Sequence, residues 1–270
     1  MTDTDYAIRE KLQRAVTHLQ ALHRTIDRFL KSNAYSIAND FHSEPGYLIV
    51  KATARRQPPK ICRVLIGDFL YNTRAALDYT ACDLARFNDE PVDEHVEFPI
   101  FKDKAAYRNP STGNITIAIK NRIGLLRPEH QAIIEEEQPF QGRRGTPEDD
   151  PLWLLYRLSN YDRHQFLHLT SIITKESFHD FSPPEAATRF EQVSVRYGAF
   201  ESDTEVARFR ILPGPEIDVH VDSQIRFDIG FDEKGPGAGR PVLYTLGDIL
   251  VRVPEIIKRL GQGGAWPTPN

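Results

Sequence analysis

The most informative group of polar residues lies in the segment that follows Pro151. At 100° per residue of an α-helix, Arg157, Asn160, Tyr161, His164 and His168 fall within about 100° of one another. A guanidinium group, an amide and two imidazoles on one face predict a site that binds an anion. These residues also suit proton transfer, because histidine titrates near neutral pH and arginine stabilises negative charge developing on a phosphate. A solvated stripe, a dimer-facing stripe and a buried network between helices remain alternatives.

A second polar cluster interrupts the apolar segment from Lys60 to Phe87. Arg74 and Asp78 have the spacing of an i,i+4 ion pair. An unpaired buried charge is costly, so we expect Asp68 and Asn72 to hydrogen-bond to a neighbouring helix, with the His164 face as a possible partner. The candidate catalytic residues are Arg157, His164 and His168. The candidate ligand-binding residues are Asp68, Asn72, Arg74, Asn160 and Tyr161.

The spacing of His164 and His168 also has the form of a metal-ligand pair on one helix face. His164 and His168 are four positions apart, and Asp68 or Asp78 could add a carboxylate, which would suit a metal-dependent hydrolase. No glutamate follows the first histidine as in the His-Glu-x-x-His motif, so no metal site and no cofactor are predicted. The glycine-rich residues 235–239 lack the Lys-Ser/Thr pair of a phosphate loop and predict a hairpin or linker.

Two segments resemble a pattern found in a family of uncharacterised bacterial proteins. The first is Gly67–Tyr79, GDFLYNTRAALDY, and the second runs from PLWLL at Pro151–Leu155 to NYDRH at Asn160–His164. The resemblance supplies no function. It implies that the two polar clusters belong to one site or to one helix–helix contact.

The second segment is also similar to HEPN-type ribonuclease domains, which are helical bundles whose motif is an arginine followed, after four to six residues, by a histidine. Six residues separate Arg157 from His164, and four separate Arg163 from His168. The resemblance implies a metal-independent site, formed by two protomers, that cleaves RNA using the 2′-hydroxyl. Arg157 would then hold the scissile phosphate, and His164 would be the acid/base or orienting group.

The elements that must position these residues follow from hydrophobic periodicity. Residues 5–31 predict a long amphipathic helix, residues 35–54 a β-hairpin, and residues 60–87 a central helix covered on more than one side. A short helix is expected near 128–137, a longer one from Leu152 to about Leu169 with Pro151 in its first turn, and a last one capped by Thr245 that ends near Leu260. Four alternating stretches predict an antiparallel meander: residues 192–197, 206–212, 217–221 and 225–231.

This order predicts an α+β fold: a helical bundle with an inserted β-hairpin, followed by a four-stranded antiparallel sheet and a C-terminal helix. Residues 1–182 would form the helical body, with the hairpin near 35–54. Residues 183–270 would form the sheet subdomain with the last helix, and both parts would belong to one compact unit. The lack of β-α-β alternation excludes a Rossmann fold or an α/β barrel.

Composition restricts the function classes. The 270 residues are 40% hydrophobic and 27% charged, which excludes disorder, and the net charge of −4 argues against a basic nucleic-acid footprint over the whole surface. With no signal peptide and no apolar run near the roughly 20 residues of a membrane helix, we expect a cytoplasmic protein that does not bind membranes. The polar helix face would bind a small anion, RNA or a second protomer in a homodimer. Whether the protein is an enzyme stays open at this point.

Overall fold

The computed structural model describes residues 3–88, 92–174, 178–214 and 219–261. The fold is α+β, as predicted, with an N-terminal helical region, a hairpin, an antiparallel sheet of four strands and a C-terminal helix. The helices are α1 (Asp3–Leu30), α2 (Ile61–Phe87), α3 (Lys104–Tyr107), α4 (Ile117–Ile123), α5 (Pro128–Glu136), α6 (Pro151–His164) and α7 (Val242–Arg259). The strands are β1 (Tyr35–Asp40), β2 (Tyr47–Ala54), β3 (Leu169–Ile173), β4 (Phe178–Ser182), β5 (Phe190–Val195), β6 (Gly198–Ala199), β7 (Thr204–Ile211), β8 (His220–Gln224) and β9 (Phe227–Phe231).

The chain forms two compact units, and neither is continuous in sequence. The helical unit takes in residues up to Leu22, Arg63–Leu167, and residues from Leu243 onward. The sheet unit comprises His23–Cys62 and His168–Val242. This division does not follow the predicted boundary at residue 182, because the sheet recruits the hairpin from the N-terminal part of the chain.

The helical unit owes its core to the periodicity seen in the sequence. Helix α2 buries a broad sector of its circumference, from Ala76 through Ile66 to Leu70 and Ala85, as expected for a central helix. Both cysteines, Cys62 and Cys82, belong to this helix and are free thiols. No helix in the described part of the chain has the length and apolarity that crossing a bilayer requires.

Helix α6 begins as predicted but ends earlier. Asp150 caps it by accepting a hydrogen bond from the Leu152 N–H (2.8 Å), and Pro151 occupies its first turn. The helix ends at His164, because Gln165 is extended (φ −146°, ψ 150°) and the following segment forms β3. The predicted extension to Leu169 is therefore wrong. The β-branched residues of β3 favour a strand, and β3 pairs with β9 about 60 positions later.

Helix α7 differs from its prediction at the other end. It starts at Val242, so Thr245 lies inside the helix and is buried there instead of capping it. Its last residue, Arg259, agrees with the predicted end near Leu260.

The strands occur near the predicted positions, but they do not form one meander. Four strands make an antiparallel sheet in the order β1-β2-β7-β5, and two smaller groups follow the orders β6-β3-β9 and β4-β8. Of the four predicted strands, only β5 and β7 pair with each other in the described residues. The hairpin takes the other edge of β7, with Tyr47 opposite Arg210, which leaves β8 and β9 to pair with β4 and β3. Residues 217 and 218 of the predicted third strand lie outside the described residues.

Candidate functional site

A cavity of about 200 Å³ lies within the helical unit. We call it the anion cavity and define it by its lining residues. Helix α2 contributes Arg74, the segment between α2 and α3 contributes Glu97, and helix α4 contributes Arg122. Helix α6 contributes the remaining four, Tyr156, Ser159, Asn160 and Arg163. Residues from two of the predicted polar clusters, Arg74 and Asn160, are therefore brought to one place.

On α2, the side chain of Arg74 is held by Asp78 and by the backbone of Phe98, and we call these three residues the clamp. Arg74 makes the predicted ion pair with Asp78, with Nε 3.0 Å from Oδ2 and Nη2 2.9 Å from Oδ1. Arg74 Nη2 also donates to the Phe98 carbonyl (2.7 Å), and the Phe98 N–H donates to Asp78 Oδ1 (3.0 Å). Burial raises the pKa of the Asp78 carboxyl, and Arg74 opposes that rise. The pair thus satisfies both backbone groups of Phe98 and fixes the guanidinium group of Arg74 in one orientation.

Glu97 sits between two of the arginines. Its Oε1 accepts a hydrogen bond from Arg122 Nε (2.6 Å), and its Oε2 is 3.6 Å from Arg74 Nη2. Arg122 Nη1 donates to the Ala118 carbonyl (2.7 Å). In the described residues, Arg74 Nη1 and Arg122 Nη2 make no hydrogen bond. Each guanidinium group therefore has N–H donors that a ligand could use.

The wall formed by α6 carries polar groups without partners. Ser159 is only 7% exposed, and its Oγ has no hydrogen-bond partner among the described residues. The side chains of Asn160 and Arg163 make no hydrogen bond or ion pair in that part of the chain either. Buried polar groups in folded proteins nearly always have partners, so the Ser159 hydroxyl calls for one. Asn160, which is half-buried, and Arg163, which is exposed, add unused donors beside it at the same cavity.

Two of the three predicted catalytic residues, Arg157 and His164, lie two turns apart on α6, whereas the third, His168, lies outside this helix. Arg157 and His164 are exposed on α6, and Tyr161 is half-buried there. His168 lies beyond the end of the helix and is exposed, so it does not share a helix face with His164. The predicted face of five residues is therefore wrong in including His168, because α6 ends at His164. The i,i+4 geometry required for a metal pair is absent for the same reason.

Asn72 differs from the prediction, whereas Asp68 does contact a neighbouring helix, α1, although not through the His164 face. Asn72 Nδ2 donates to the Asp68 carbonyl one turn earlier (2.7 Å) instead of reaching a neighbouring helix. The Asp68 carboxylate lies 3.7 Å from Nδ1 of His18 on α1. In the described chain, no three His, Cys, Asp or Glu side chains are grouped so that they could hold a metal ion.

The two motif segments meet at Gly67 and Asp162. A Cβ atom at Gly67 would lie 2.5 Å from Asp162 Oδ2, so a larger residue at this position would force the Asp162 carboxylate to move. Burial raises the pKa of Asp162, and the nearby charge of Asp68 raises it further. The residue of α6 near Asp68 is therefore the acidic Asp162, whereas the sequence suggested a hydrogen-bonding partner on the His164 face.

Four lining residues were not predicted as site residues, and Arg163 was noted only for its spacing to His168; the four are Glu97, Arg122, Tyr156 and Ser159. Glu97 and Arg122 lie outside the two motifs and have no periodic relation to them, so no local signal marks them. Arg163 could have been found, because it follows Asn160 by three positions and shares its side of the helix.

Comparison with protein-family models, with curated proteins and with solved structures found no match for this chain.

Proposed function

We propose that this protein binds a small oxyanion in the anion cavity. The observation that carries the proposal is the set of unused donors on α6: the Arg163 guanidinium, the Asn160 amide and the Ser159 hydroxyl have no partners in the described residues. An oxyanion accepts several hydrogen bonds at once, so one ligand would satisfy donors that the protein itself leaves unpaired.

Charge and preorganisation favour the same ligand. The three guanidinium groups at the cavity face two carboxylates, Glu97 and Asp78, which leaves one positive charge in excess. Arg74 is already held by Asp78 and Phe98 before any ligand arrives. A ligand therefore loses little affinity to the ordering of that side chain.

The size of the cavity limits the ligand. Its 200 Å³ corresponds to about seven water molecules at roughly 30 Å³ each. Pockets for drug-sized molecules begin at about 300 Å³. The cavity therefore suits a phosphate, a sulfate or a carboxylate group, either free or as one group of a larger molecule.

The test is a calorimetric titration with inorganic phosphate at constant ionic strength. We expect Arg163→Ala to weaken binding about tenfold or more, because a hydrogen bond to a charged group contributes about 1.5–3 kcal/mol. Arg14→Ala is the matched control, since Arg14 is an exposed arginine on α1, is unpaired in the described chain and does not line the cavity. Equal affinities of the two variants would contradict the proposal.

A specific observation also favours a second candidate function, a metal-independent ribonuclease. Arg157 and His164 are exposed, lie two turns apart on α6, and have no partners in the described residues. They are thus free to contact an RNA phosphate and to transfer a proton. By the resemblance noted above, such a site would be completed by a second protomer, so we expect this function to require a homodimer.

This second function is tested by RNA cleavage in excess chelator. Cleavage that is lost in folded Arg157→Ala and His164→Ala, together with a solution mass of twice 30.9 kDa, would support it. No cleavage of several RNAs by the wild-type protein would contradict it and leave anion binding as the function.

A further inference from the structure

Glu97 occupies the position in the anion cavity that an external anion would use. Its carboxylate contacts Arg122 Nε at 2.6 Å and lies 3.6 Å from Arg74 Nη2, and the side chain is 42% exposed. We infer that Glu97 is an internal ligand of the cavity and that the external ligand is a phosphate dianion that displaces it. This inference rests on the proposed function and names its ligand class.

The backbone next to Glu97 is fixed by hydrogen bonds, whereas the Glu97 side chain can rotate away from the two arginines. The following residue, Phe98, has its N–H and its carbonyl bound by Asp78 and Arg74. Apart from its contacts with Arg74 and Arg122, the carboxylate of Glu97 has no partner in the part of the chain that the structure describes. Rotation of this one side chain therefore opens both guanidinium groups without disturbing the clamp.

An internal carboxylate excludes ligands that resemble it. An external carboxylate carries the same group and the same charge, and it also pays the entropy of association, so it gains nothing by replacing Glu97. A phosphate monoester carries a charge of about −1.5 to −2 and three acceptor oxygens. It can pair with the guanidinium groups that Glu97 uses, and its additional oxygens have further donors in the same cavity, on Asn160 and Arg163.

The test compares Glu97→Gln with the wild-type protein in titrations with inorganic phosphate and with acetate at constant ionic strength. We expect phosphate to bind about tenfold more tightly to Glu97→Gln, because the competing charge is gone and its shape is kept. We also expect the wild-type protein to bind phosphate in preference to acetate. Glu148→Gln is the matched control, since Glu148 is exposed, pairs with Lys102 at 2.7 Å and does not line the cavity.

Each outcome decides the inference. If Glu97→Gln binds phosphate as the wild type does, or more weakly, while remaining folded, Glu97 is not a competitor and the inference fails, although the proposed function stands. If neither protein binds phosphate or acetate, the proposed function fails and the inference fails with it. If acetate binds and phosphate does not, only the inference fails. Glu97→Ala is the second variant should Glu97→Gln not fold, and it must change affinity in the same direction.

A last comparison identifies the source of the phosphate group. A short RNA with a 5′-phosphate that binds better than the same RNA with a 5′-hydroxyl, and gains further affinity in Glu97→Gln, would support the inference and assign the phosphate to a nucleic-acid end. Equal binding of the two RNAs, with the Glu97→Gln gain seen for inorganic phosphate, would support it for a small phosphate compound.

Discussion

Asp162 is a carboxyl group that the folded protein does not pair. It makes no hydrogen bond or ion pair in the described residues, lies against Gly67, and has its pKa raised by burial and by the charge of Asp68. A carboxyl group whose pKa is higher in the folded than in the unfolded state stabilises the fold only while it is protonated. Its contribution is complete below the unfolded value of about 3.9 and is lost as the pH rises through the folded pKa.

Asp162→Asn should therefore make the protein more stable at pH 7 and have little effect in acid. At pH 7 the substitution removes a charge that the fold disfavours, whereas below about pH 4 the wild-type carboxyl is already neutral. Urea unfolding at a series of pH values measures the difference between the two proteins. A difference that stays constant from pH 4 to pH 8 would show that the charge of Asp162 is not the cause.

The pair of Arg74 and Asp78 should matter far more to stability than an exposed pair of the same spacing. The Arg74 side chain is only 10% exposed, so Asp78→Ala leaves a guanidinium group and the Phe98 N–H without their partner. We expect a loss of about 3 kcal/mol in the free energy of unfolding.

Asp27→Ala is the matched control for that substitution. Asp27 pairs with Lys31 at i,i+4 and 2.9 Å, but the two side chains are 48% and 75% exposed. Such pairs contribute about 0.3–0.5 kcal/mol. Similar losses in Asp27→Ala and Asp78→Ala would contradict the account of Arg74 as a fixed wall of the anion cavity.

At the scale of elements, the approach of α6 to α2 depends on Gly67 and Asp162 together. Alanine is favoured over glycine inside a helix by about 1 kcal/mol, but here its Cβ would collide with the Asp162 carboxylate. We expect Gly67→Ala to give no gain, or a loss, in the wild-type protein and a gain of about 1 kcal/mol in the Asp162→Ala background. Urea unfolding of the four proteins gives the coupling, and additivity within about 0.5 kcal/mol would refute the contact.

The first and last residues of α6 and α7 show which helix boundaries can be predicted from local sequence. The start of α6 was predictable, because proline in a first turn is a local signal and Asp150 is a local cap. The end of α6 was not, because it depends on the pairing of β3 with β9, whose residues lie about 60 positions away. The same holds for α7, whose buried Thr245 has the residue type of a cap but lies in the helix interior.

At the scale of the whole molecule, the fold class followed from the change in hydrophobic period, whereas the strand pairing did not. Four alternating stretches in a row favour a meander, yet the hairpin β1-β2 takes one edge of β7 and redistributes the remaining strands. The anion cavity was only half predictable for a similar reason. Arg74 and Asn160 lie in recognisable motifs, but Glu97 and Arg122 reach the cavity through tertiary structure alone.

An oxyanion bound in the anion cavity would be visible directly in a crystal. The most direct measurement is an anomalous difference map from crystals of the protein grown with tungstate, a tetrahedral analogue of phosphate. We predict a peak at a position where tungstate oxygens can accept hydrogen bonds from Arg163 and Asn160, with the side chain of Glu97 turned away from Arg74, and no such peak in crystals of Arg163→Ala. A map with no peak in the cavity, or a peak that persists unchanged in Arg163→Ala, would contradict the account.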